Sequence, residues 1–353
     1  MFWAEKYIDA AYQWVCQKRK DYHFNNEVWH LRVHWQEERA QLLEDLKAQC
    51  FSFDLVKKIS TADRTTFLWT AKDALVLKIM ALHLEKKIKP TLSDQIYHLK
   101  AEAGQEKRGS KKAVKKVFEQ LPNHTFVCRT DVKGYYASIQ HDLLLQQLRP
   151  YVDCPYLMKL LKKFLAHAIN DKGYIHTCKQ GIPLGAPLSP LLGALFLKPL
   201  DENITALKDI YYLRFMDDWV ILAPTRWKLK KAIAVMNKTL NGLQLQKHPD
   251  KTSIGRITAG FDFLGHHLSI EEEGVAPSCP LEEKLEEIPV PLQKVIKKHI
   301  AKPLVITRPI SAVRHSKRHC HLTLAAKTIQ NFLNKCTQLY EQDACLVRMG
   351  TYV

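Results

Sequence analysis

The sequence predicts a mixed core of helices and sheet, of the α/β or α+β class. The chain has 353 residues, 46% of them hydrophobic. That length allows one large domain, or two to three subdomains around a shared core. Between residues 126 and 270, strand-like runs alternate with helical runs. No window reaches about 18 uncharged apolar residues, so we expect no membrane span.

The elements follow in order along the chain. Residues 1–50 are predicted to be helical, with Trp29, Val33 and Leu42 at roughly helical spacing. Residues 51–125 contain a short strand-like piece, a helix around Asp73 to Lys86 and a basic tract. The later strand-like runs are FVCRTDV, YYLRF, WVILA and FDFLGHHL, and the helical runs are Asp142 to Leu148, Leu188 to Leu200 and Lys228 to Leu240. A proline-containing linker precedes a last helical segment, residues 310–345.

The charge of the chain predicts a polyanionic partner. It carries 53 Lys and Arg against 36 Asp and Glu, a net charge of +17. Nucleic acid is the first candidate and an anionic membrane surface the second. Two separate tracts, 107–116 and 288–335, are strongly basic. Two tracts suit a groove that contacts a phosphate backbone from both sides, whereas one alone is typical of a solvated face.

The cysteines and the N-terminus predict a cytoplasmic protein. The nine cysteines are scattered, and none forms a CxxC pair. This pattern disfavours a zinc ribbon or a redox motif and suits reduced thiols. The first residues, MFWAEKYIDAAYQW, include acidic side chains and no long apolar run, so they do not form a secretory signal.

The stretch YYLRFMDDWVILA, residues 211–223, places two adjacent carboxylates between apolar, strand-like flanks. The polar break between the flanks predicts a hairpin turn. Asp217 and Asp218, fixed side by side, repel each other, and a divalent cation would offset that repulsion. The alternative is a solvated turn, where Asp is common. A metal site requires a third carboxylate elsewhere.

Asp131 is the candidate third carboxylate. It ends the apolar strand in FVCRTDVKGYYASI, residues 126–139. A carboxylate at the end of a core strand faces a crevice rather than the core. Beside Asp217, it could share two divalent cations that activate a hydroxyl and neutralise a leaving pyrophosphate. The alternative is that Asp131 only begins a turn before Gly134.

Seven segments in order resemble the motifs of the reverse transcriptase family, within its bacterial group II intron-like lineage. They cover most of the chain, from Arg64 to Phe332. The segments are RTTFLWTAKDALVLK (64–78), DVKGYYASI (131–139), QGIPLGAPLSPLLGALFL (180–197), FMDD (215–218), LQLQKHPDKTSIGR (243–256), GFDFLGHHL (260–268) and LAAKTIQNFL (324–333).

The resemblance implies an α+β right-hand polymerase, with fingers, a palm of antiparallel sheet packed on helices, and a small helical thumb. It divides the chain into an N-terminal helical extension (1–50), fingers (51–125), palm with interleaved fingers elements (126–275), and linker and thumb (276–353). Only about 20 residues follow the thumb-like helix, so we expect none of the further domains of a mobile-intron protein.

The resemblance also implies the catalytic residues. Asp131 and Asp217 would hold two Mg²⁺ ions, with Mn²⁺ as a substitute, and Asp218 would support or share the site. Val132 would contribute its backbone carbonyl. Tyr136 would exclude ribonucleotides by a clash with the 2′-hydroxyl, and its alternative is an ordinary core tyrosine.

Four more residues would contact substrate by the same resemblance. Gln180 and Gly181 would contact the incoming nucleotide, and Gly181 would permit the backbone to approach it. Arg64 matches the fingers arginine that reaches the triphosphate, and Lys251 matches the palm lysine. The alternatives are a structural loop for the first pair and surface charges for the second.

This chain departs from the family pattern in three places. Phe215 replaces the usual Tyr before the paired aspartates, which should be tolerated because the hydroxyl is not a metal ligand. GIPLGAPLSP is longer than the compact form of the intron enzymes, and Leu68-Trp69 replaces the usual Ile-Pro. These departures leave the sublineage open.

The implied function is RNA-directed DNA polymerisation, a nucleotidyltransferase reaction. The expected partners are an RNA template, a DNA or RNA primer and deoxynucleotides, with a dedicated noncoding RNA or accessory protein left open and no membrane. The alternatives are an RNA-dependent RNA polymerase, a palm-fold nucleic-acid-binding protein without activity, and a basic scaffold. A role in a retroelement, phage defence, repair or CRISPR-linked adaptation is also left open.

Overall fold

A computed structural model describes residues 2–60, 65–99, 108–171 and 173–270, which belong to the compact unit Met1–Pro277. Its helices are α1 (Glu5–Lys18), α2 (Glu27–Val33), α3 (Trp35–Lys47), α4 (Ala71–Ile88), α5 (Ser110–Gln120), α6 (Tyr135–Ser138), α7 (His141–Leu148), α8 (Pro155–Leu165), α9 (Ser189–Phe196), α10 (Lys198–Thr205) and α11 (Arg226–Gly242). Its strands are β1 (Val56–Ser60), β2 (Thr65–Leu68), β3 (Phe126–Asp131), β4 (Ala168–Asp171), β5 (Tyr174–Thr177), β6 (Tyr211–Phe215), β7 (Asp218–Ala223), β8 (Ser253–Arg256), β9 (Phe261–Phe263) and β10 (His266–Leu268).

The first 50 residues form helices, as predicted, but the apolar spacing of Trp29, Val33 and Leu42 does not mark one buried face, because Val33 is 77% exposed and Leu42 belongs to the next helix. In α1 the buried residues Ile8, Ala11 and Val15 lie at intervals of three and four, so they share one face. That face packs against α4. Asn26 begins α2 by accepting a hydrogen bond from the backbone N–H of Val28, which satisfies an amide that has no partner within the helix.

The central helix α4 is buried over most of its surface. Thr70 caps its first turn, accepting a hydrogen bond from the Asp73 amide at 3.1 Å. Eleven of its 18 residues are buried, and they occur on all sides of the helix. A helix that is apolar all round belongs in a core, and here α1, α2 and α9 pack around it.

One four-stranded sheet has the order β2-β1-β4-β5. Strands β1 and β2 pair antiparallel, and so do β4 and β5, but β1 and β4 run parallel. The sheet therefore joins two distant parts of the chain. Lys58 and Asp171 connect the same two parts through an ion pair of 2.7 Å between Nζ and Oδ2.

The second four-stranded sheet, β6-β7-β3-β8, is antiparallel throughout. Because side chains alternate along a strand, its two faces pack differently. One face carries Cys128 and Trp219, within the main hydrophobic core, and helix α11 packs against β3 and β7 there. The opposite face carries Val127, Val220 and Leu222, which pack with residues from α5 and the β9–β10 hairpin. Asp131 and Asp218 lie on this second face, in register across β3 and β7.

The predicted α+β class, with an antiparallel sheet packed on helices, is confirmed. One boundary was wrong, because the helix expected from Leu188 to Leu200 is two helices that meet at Leu197. Pro199 stands in the first turn of the second helix, where its missing N–H costs nothing. The first basic tract also has more structure than its charge indicated, since α5 buries Ala113 and Val117.

Several expectations fall outside the described residues. They are the second basic tract, the linker, the helix predicted over residues 310–345 and the thumb. Within the described ranges, no helix has both the length and the apolar composition needed to cross a membrane.

Candidate active site

The hairpin between β6 and β7 carries the paired aspartates, as predicted. Phe215 and Asp218 are the last paired residues, so Met216 and Asp217 form a two-residue turn. Met216 has a φ of 57°, the left-handed conformation that type II′ hairpins adopt at this position. Such turns match the twist of the strands, although a non-glycine residue is strained there.

Two side chains hold the backbone of Met216. Its N–H donates to His98 Nδ1 at 3.0 Å, and its carbonyl accepts from Arg214 Nη1 at 2.8 Å. Burial, together with the nearby Arg214 charge, lowers the pKa of His98 to about 3. A neutral imidazole can accept a hydrogen bond, whereas a protonated one cannot. The turn is therefore clamped at both its amide and its carbonyl.

Arg214 is itself held by a buried ion pair with Asp201 of α10. Both side chains are fully buried, with Nε–Oδ1 at 2.7 Å and Nη2–Oδ2 at 2.5 Å. Tyr212 donates a further hydrogen bond to Asp201 at 2.7 Å. A bidentate guanidinium–carboxylate pair fixes orientation as well as distance. The pair thus ties the hairpin to the helix behind the sheet.

Asp131 lies directly across the sheet from Asp218. Its Oδ2 accepts a hydrogen bond from Lys251 Nζ at 2.7 Å. Its Oδ1 is buried and has no hydrogen-bond partner. A buried carboxylate oxygen without a partner carries a desolvation cost that a bound cation would offset.

Asp217 and Asp218 are held in a partly desolvated site. Burial is the main cause that raises the pKa of each above the usual range of an aspartate, and the Asp131 carboxylate raises both further. Arg129 opposes this shift at Asp218, with Nε–Oδ1 at 3.2 Å and Nη2–Oδ2 at 2.7 Å. Three carboxylates therefore lie close together at this site, and the positive charges of Arg129 and Lys251 offset part of their negative charge.

The three carboxylates fit a divalent-cation site in chemistry. Oxygen ligands from aspartates are those that Mg²⁺ and Mn²⁺ prefer, and Asp131 presents its unpartnered oxygen there. Across the described ranges, however, no three His, Cys, Asp or Glu side chains are arranged to hold an ion. Instead, Lys251 forms an ion pair with Asp131, and Arg129 forms one with Asp218.

The backbone of Val132 lies beside this cluster. An isolated bridge to Lys247 uses two hydrogen bonds, Lys133 N–H to Gln246 O and His248 N–H to Asp131 O. Neither of these bonds uses the Val132 carbonyl. The role of this carbonyl as a metal ligand stays a prediction from the family resemblance.

Tyr136 stands in the short helix α6 that follows β3. Its ring packs edge-on against Tyr135, with centroids 5.4 Å apart. Burial and then the Asp217 carboxylate raise its pKa to about 12. The phenol therefore stays protonated near the carboxylate cluster. A Cβ at Gly193 of α9 would lie 3.4 Å from the Tyr136 hydroxyl, which shows how closely the ring approaches that helix.

The loop that contains Gln180 and Gly181 is bound to α6. Gln180 donates from Nε2 to the Ser138 carbonyl at 3.1 Å, and Gly181 donates from its amide to the Ile139 carbonyl at 2.8 Å. The Ile182 amide donates to the Tyr136 carbonyl, also at 2.8 Å. The loop and the Tyr136 helix therefore form one unit.

Gly181 permits the loop to approach the short helix α6 closely. Its φ is +87°, and a Cβ would lie 3.0 Å from backbone atoms of Tyr136 and Ala137. The atoms that exclude a side chain at this position belong to α6 of the same chain. This glycine is required for packing the loop against α6.

The structure thus brings Asp131, Val132, Asp217, Asp218 and Lys251 into contact or close proximity. It places Tyr136 near Asp217 and joins the Gln180–Gly181 loop to the same helix. Arg64 lies outside the described residues.

Sequence reasoning missed Arg129, His98 and Arg214. A signal existed for Arg129, because it precedes Asp131 by two residues in a strand and so shares its face. Arg214 is a charge within an apolar strand, which indicates a buried partner. We find no sequence signal for His98, since its contact depends on the fold bringing residue 98 beside the hairpin.

Comparison with known proteins gives consistent findings. A family model described as reverse transcriptase (RNA-dependent DNA polymerase) matches residues 56–268. Protein YkfC of Escherichia coli (strain K12) is 25% identical over 177 residues, covering 40% of this chain and 46% of that protein. The group II intron-encoded protein LtrA of Lactococcus lactis subsp. cremoris is 25% identical over 154 residues, covering 44% of this chain and 25% of that protein.

A third relative is an uncharacterized 91 kDa protein in the cob intron of Schizosaccharomyces pombe. It is 26% identical over 174 residues, covering 48% of this chain and 21% of that protein. The matched segment therefore spans less than half the length of each of these relatives. Among solved structures, telomerase from Candida albicans in complex with a telomeric RNA fragment aligns with a TM-score of 0.48 and 12% identity, covering 68% of this chain and 48% of that one.

Proposed function

The chain belongs to the reverse transcriptase (RNA-dependent DNA polymerase) family, and on that premise we propose that it extends a primer 3′-hydroxyl with deoxynucleotides on an RNA template. The family and the group II intron-like lineage expected from the ordered motifs are both confirmed. The activity of this particular chain is our proposal.

One observation supports the proposal most strongly. Asp131 and Asp218 face each other across two adjacent strands, and Asp217 stands at the clamped turn beside them. Polymerisation needs negative ligands for cations at a fixed position, because positioning and electrostatic stabilisation supply most of the catalysis of phosphoryl transfer. A rigid sheet end and a turn held on both sides provide that position.

The reaction would be attack of the primer 3′-oxygen on the α-phosphorus of a deoxynucleotide. A new P–O bond forms, the bond between the α- and β-phosphates breaks, and pyrophosphate leaves while the hydroxyl proton passes to solvent. Two divalent ions, when bound, would lower the pKa of the hydroxyl and neutralise the leaving group.

Within this reaction, Asp131 and Asp217 would hold the ions, with Asp218 and the Val132 carbonyl completing the site. Mg²⁺ is the proposed ion, and Mn²⁺ is its substitute. Both ions take oxygen ligands, so the carboxylate set suits either. The unpartnered Oδ1 of Asp131 supports this assignment.

The substrate would lie against α6 and the loop bound to it. Tyr136 is the proposed barrier to ribonucleotides, and Gln180 and Gly181 the proposed nucleotide contacts. Lys251, whose side chain is half exposed, would exchange its contact with Asp131 for a phosphate of the nucleotide. A lysine on a flexible stem can make that exchange, since its ammonium acts as a point charge.

An RNA-dependent RNA polymerase is the competing function, because it would use the same carboxylates. Such enzymes usually have an aspartate about five residues after the first metal ligand, where it contacts the 2′-hydroxyl. This chain has Tyr136 at that position. Tyr136 has no carboxylate to accept a hydrogen bond from the 2′-hydroxyl of a ribonucleotide. The residue at this position therefore favours deoxynucleotides.

The test is primer extension on a poly(rA)/oligo(dT) duplex with Mg²⁺, comparing dTTP with UTP. Wild type would be compared with Asp131→Asn and Asp217→Asn, and Asp250→Asn would be the control because Asp250 is exposed. We expect dTTP-dependent extension that falls by about a hundredfold to a thousandfold in the first two variants, a loss typical of removing a group that stabilises transition-state charge. The control should match wild type.

Each other outcome has a defined meaning. Extension with UTP in preference to dTTP would assign an RNA polymerase. If the Asp131→Asn variant extends primers as well as wild type, Asp131 is not a metal ligand. If wild type extends neither substrate, sequencing the nucleic acid that copurifies would identify the natural template, including a dedicated noncoding RNA, and the extension assay would be repeated on it.

A further inference from the structure

The outer face of α11 carries a basic surface with a large exposed aromatic side chain. Trp227 is 78% exposed, among the most exposed large hydrophobic residues that the structure describes. The "Trp227 patch" consists of this residue together with the exposed basic residues Arg226, Lys230, Lys231 and Lys238. The α11 segment contains five basic residues and no acidic one.

The patch is exposed because the opposite face of α11 is buried against the protein core. Leu229, Ala232, Met236 and Leu240 are buried, at helical spacing, against the core. The Trp219 indole N–H donates to the Met236 sulfur at 3.4 Å. The helix therefore cannot rotate to bury Trp227 without exposing that core face.

The positions on the helix bring the charges close to the ring. Lys230 and Lys231 follow Trp227 by three and four residues, which places all three on neighbouring parts of one surface. The Lys230 ammonium lies 5.7 Å from the centre of the Trp227 ring. Lys238 extends the same surface, about 16 Å along the helix axis from Trp227 at 1.5 Å per residue.

The patch is separate from the candidate active site. Helix α11 packs on the sheet face that carries Cys128 and Trp219. Asp131 and Asp218 lie on the opposite face. A strand segment bound at Trp227 would therefore lie on the other side of the sheet from the carboxylates.

We propose that the Trp227 patch binds a single nucleic-acid strand, with a base stacked on the Trp227 ring and phosphates on Lys230, Lys231 and Arg226. Proteins that bind single strands combine an exposed aromatic ring with neighbouring positive charges in this way. Duplex DNA suits the patch less well, because its bases are already stacked and offer no free face to the indole.

An anionic membrane surface is the other polyanion to consider. A membrane-bound amphipathic helix inserts its apolar face between lipids. In α11 that face is buried in the protein. Only Trp227 would be left to insert, so the structure favours the nucleic acid.

The experiment measures strand binding away from the active site. The full chain is saturated with an unlabelled primer–template duplex, without nucleotides, and a labelled 12-nucleotide oligo(U) is then titrated by fluorescence anisotropy at several salt concentrations. Oligo(dT) is titrated in parallel, and the tighter ligand identifies RNA or DNA as the natural strand. The variants are Trp227→Ala and the double substitution Lys230→Gln, Lys231→Gln.

The two variants should differ in a diagnostic way. Trp227→Ala should weaken binding by about 5- to 150-fold, as expected for one base–aromatic stack, and leave the salt dependence unchanged. The double lysine variant should reduce the slope of log K against log salt by about 1.4, since each phosphate contact of a single strand contributes about 0.7.

Matched controls remove the same groups elsewhere. Phe24→Ala removes another exposed aromatic ring, and Lys159→Gln with Lys162→Gln removes two exposed charges from α8. Both should bind as wild type does, and all variants should keep the wild-type melting temperature. Asp217→Asn should also bind normally, which separates this proposal from the polymerase activity.

Two results would overturn the proposal. One is wild-type affinity for both oligonucleotides in the Trp227→Ala variant. The other is co-sedimentation with vesicles containing about 30% phosphatidylserine that depends on Trp227, with no Trp227-dependent binding of either oligonucleotide. That second result would assign the patch to an anionic membrane surface.

Discussion

Arg129 holds the Asp218 carboxylate through both arms of its guanidinium, with Nε–Oδ1 at 3.2 Å and Nη2–Oδ2 at 2.7 Å. The same arginine donates from Nη1 to the Lys251 carbonyl at 2.9 Å. Lys251 in turn contacts Asp131. Arg129 thereby binds one of the three carboxylates directly and is connected to a second, Asp131, through Lys251.

The first prediction concerns Arg129, which we expect to position Asp218 rather than to act on substrate. Arg129→Gln should lower the free energy of unfolding by about 1–3 kcal/mol, because a largely buried carboxylate loses its charged partner. Primer extension should fall by about 10- to 100-fold, the usual loss for a group that orients a metal ligand. Urea denaturation and an extension assay measure the two effects.

Arg129→Lys serves as the matched variant for this prediction. It keeps the charge but loses the planar fork, so it should recover part of the stability and little of the activity. If Arg129→Gln extends primers as fast as wild type, Asp218 does not need a fixed orientation.

The second prediction concerns His98, whose imidazole accepts a hydrogen bond from the Met216 amide at the turn that carries Asp217. His98→Ala should lower kcat by about tenfold with little change in KM, since loosening the turn displaces Asp217 without removing a binding group. His98→Gln offers a carbonyl acceptor and should restore part of the loss. Equal kcat values for wild type and His98→Ala would contradict the clamp.

His98 also predicts a pH dependence of stability. Burial and the Arg214 charge lower its pKa to about 3, against about 6.5 for an ordinary histidine. Between those values the unfolded chain binds the proton more readily, so stability is full above pH 6.5 and falls as the pH drops. The His98→Gln variant should lose less stability than wild type between pH 6.5 and pH 4, as measured by urea denaturation.

The third prediction concerns Asp73, a buried carboxylate in the first turn of α4. Burial raises its pKa to about 7, although it accepts a hydrogen bond from the Asp54 amide at 3.1 Å. The folded protein therefore binds this proton more tightly than the unfolded chain, and stability falls as the pH rises from about 4 to 7.

Asp73→Asn removes the charge and retains an acceptor for the Asp54 amide. It should therefore raise stability at pH 8 by roughly 2–4 kcal/mol, since each unit of pKa shift corresponds to about 1.4 kcal/mol. At pH 4 the variant and wild type should agree. A variant less stable than wild type at pH 8 would show that the ionised form is required.

The fourth prediction concerns Gly181. Gly181→Ala places a Cβ 3.0 Å from backbone atoms of the Tyr136 helix, in a left-handed conformation. The loop must move, so we expect a loss of at least about 1–2 kcal/mol in stability from the conformation alone. Nucleotide affinity should also fall. Gly242→Ala is the control, because nothing lies within 4 Å of its added Cβ, and it should be neutral or stabilising.

The sequence predicted the elements whose patterns are local. The periodicity of α1, α4 and α11 and the alternation around Asp217 are visible in short windows, so these elements were expected. The split between α9 and α10 was missed because no charged residue interrupts Leu188 to Leu197, and only Lys198 and Pro199 separate that run from Leu200. A proline in the first turn of a helix leaves little sign in the pattern.

The candidate site was predictable only in part. Asp131 and Asp217 are separated by 86 positions in the sequence but lie near one another because β3 pairs with β7. The position of Asp131 at the end of a core strand suggested that it could lie beside Asp217, but the strand register was not visible in the sequence. The clamps on Met216 depend on long-range contacts, in which residue 98 meets residue 216, and no single-sequence pattern encodes them.

The parallel pairing of β1 with β4 has a consequence for how the protein is made. Lys58 and Asp171 are separated by 113 positions. During synthesis, β1 and β2 leave the ribosome long before their partner strand exists, at about 5–20 residues per second. For that interval their unpaired edge is open to other chains, an aggregation hazard. Slower translation between residues 60 and 168 should therefore lower the yield of native protein, whereas slowing it after residue 177 should not.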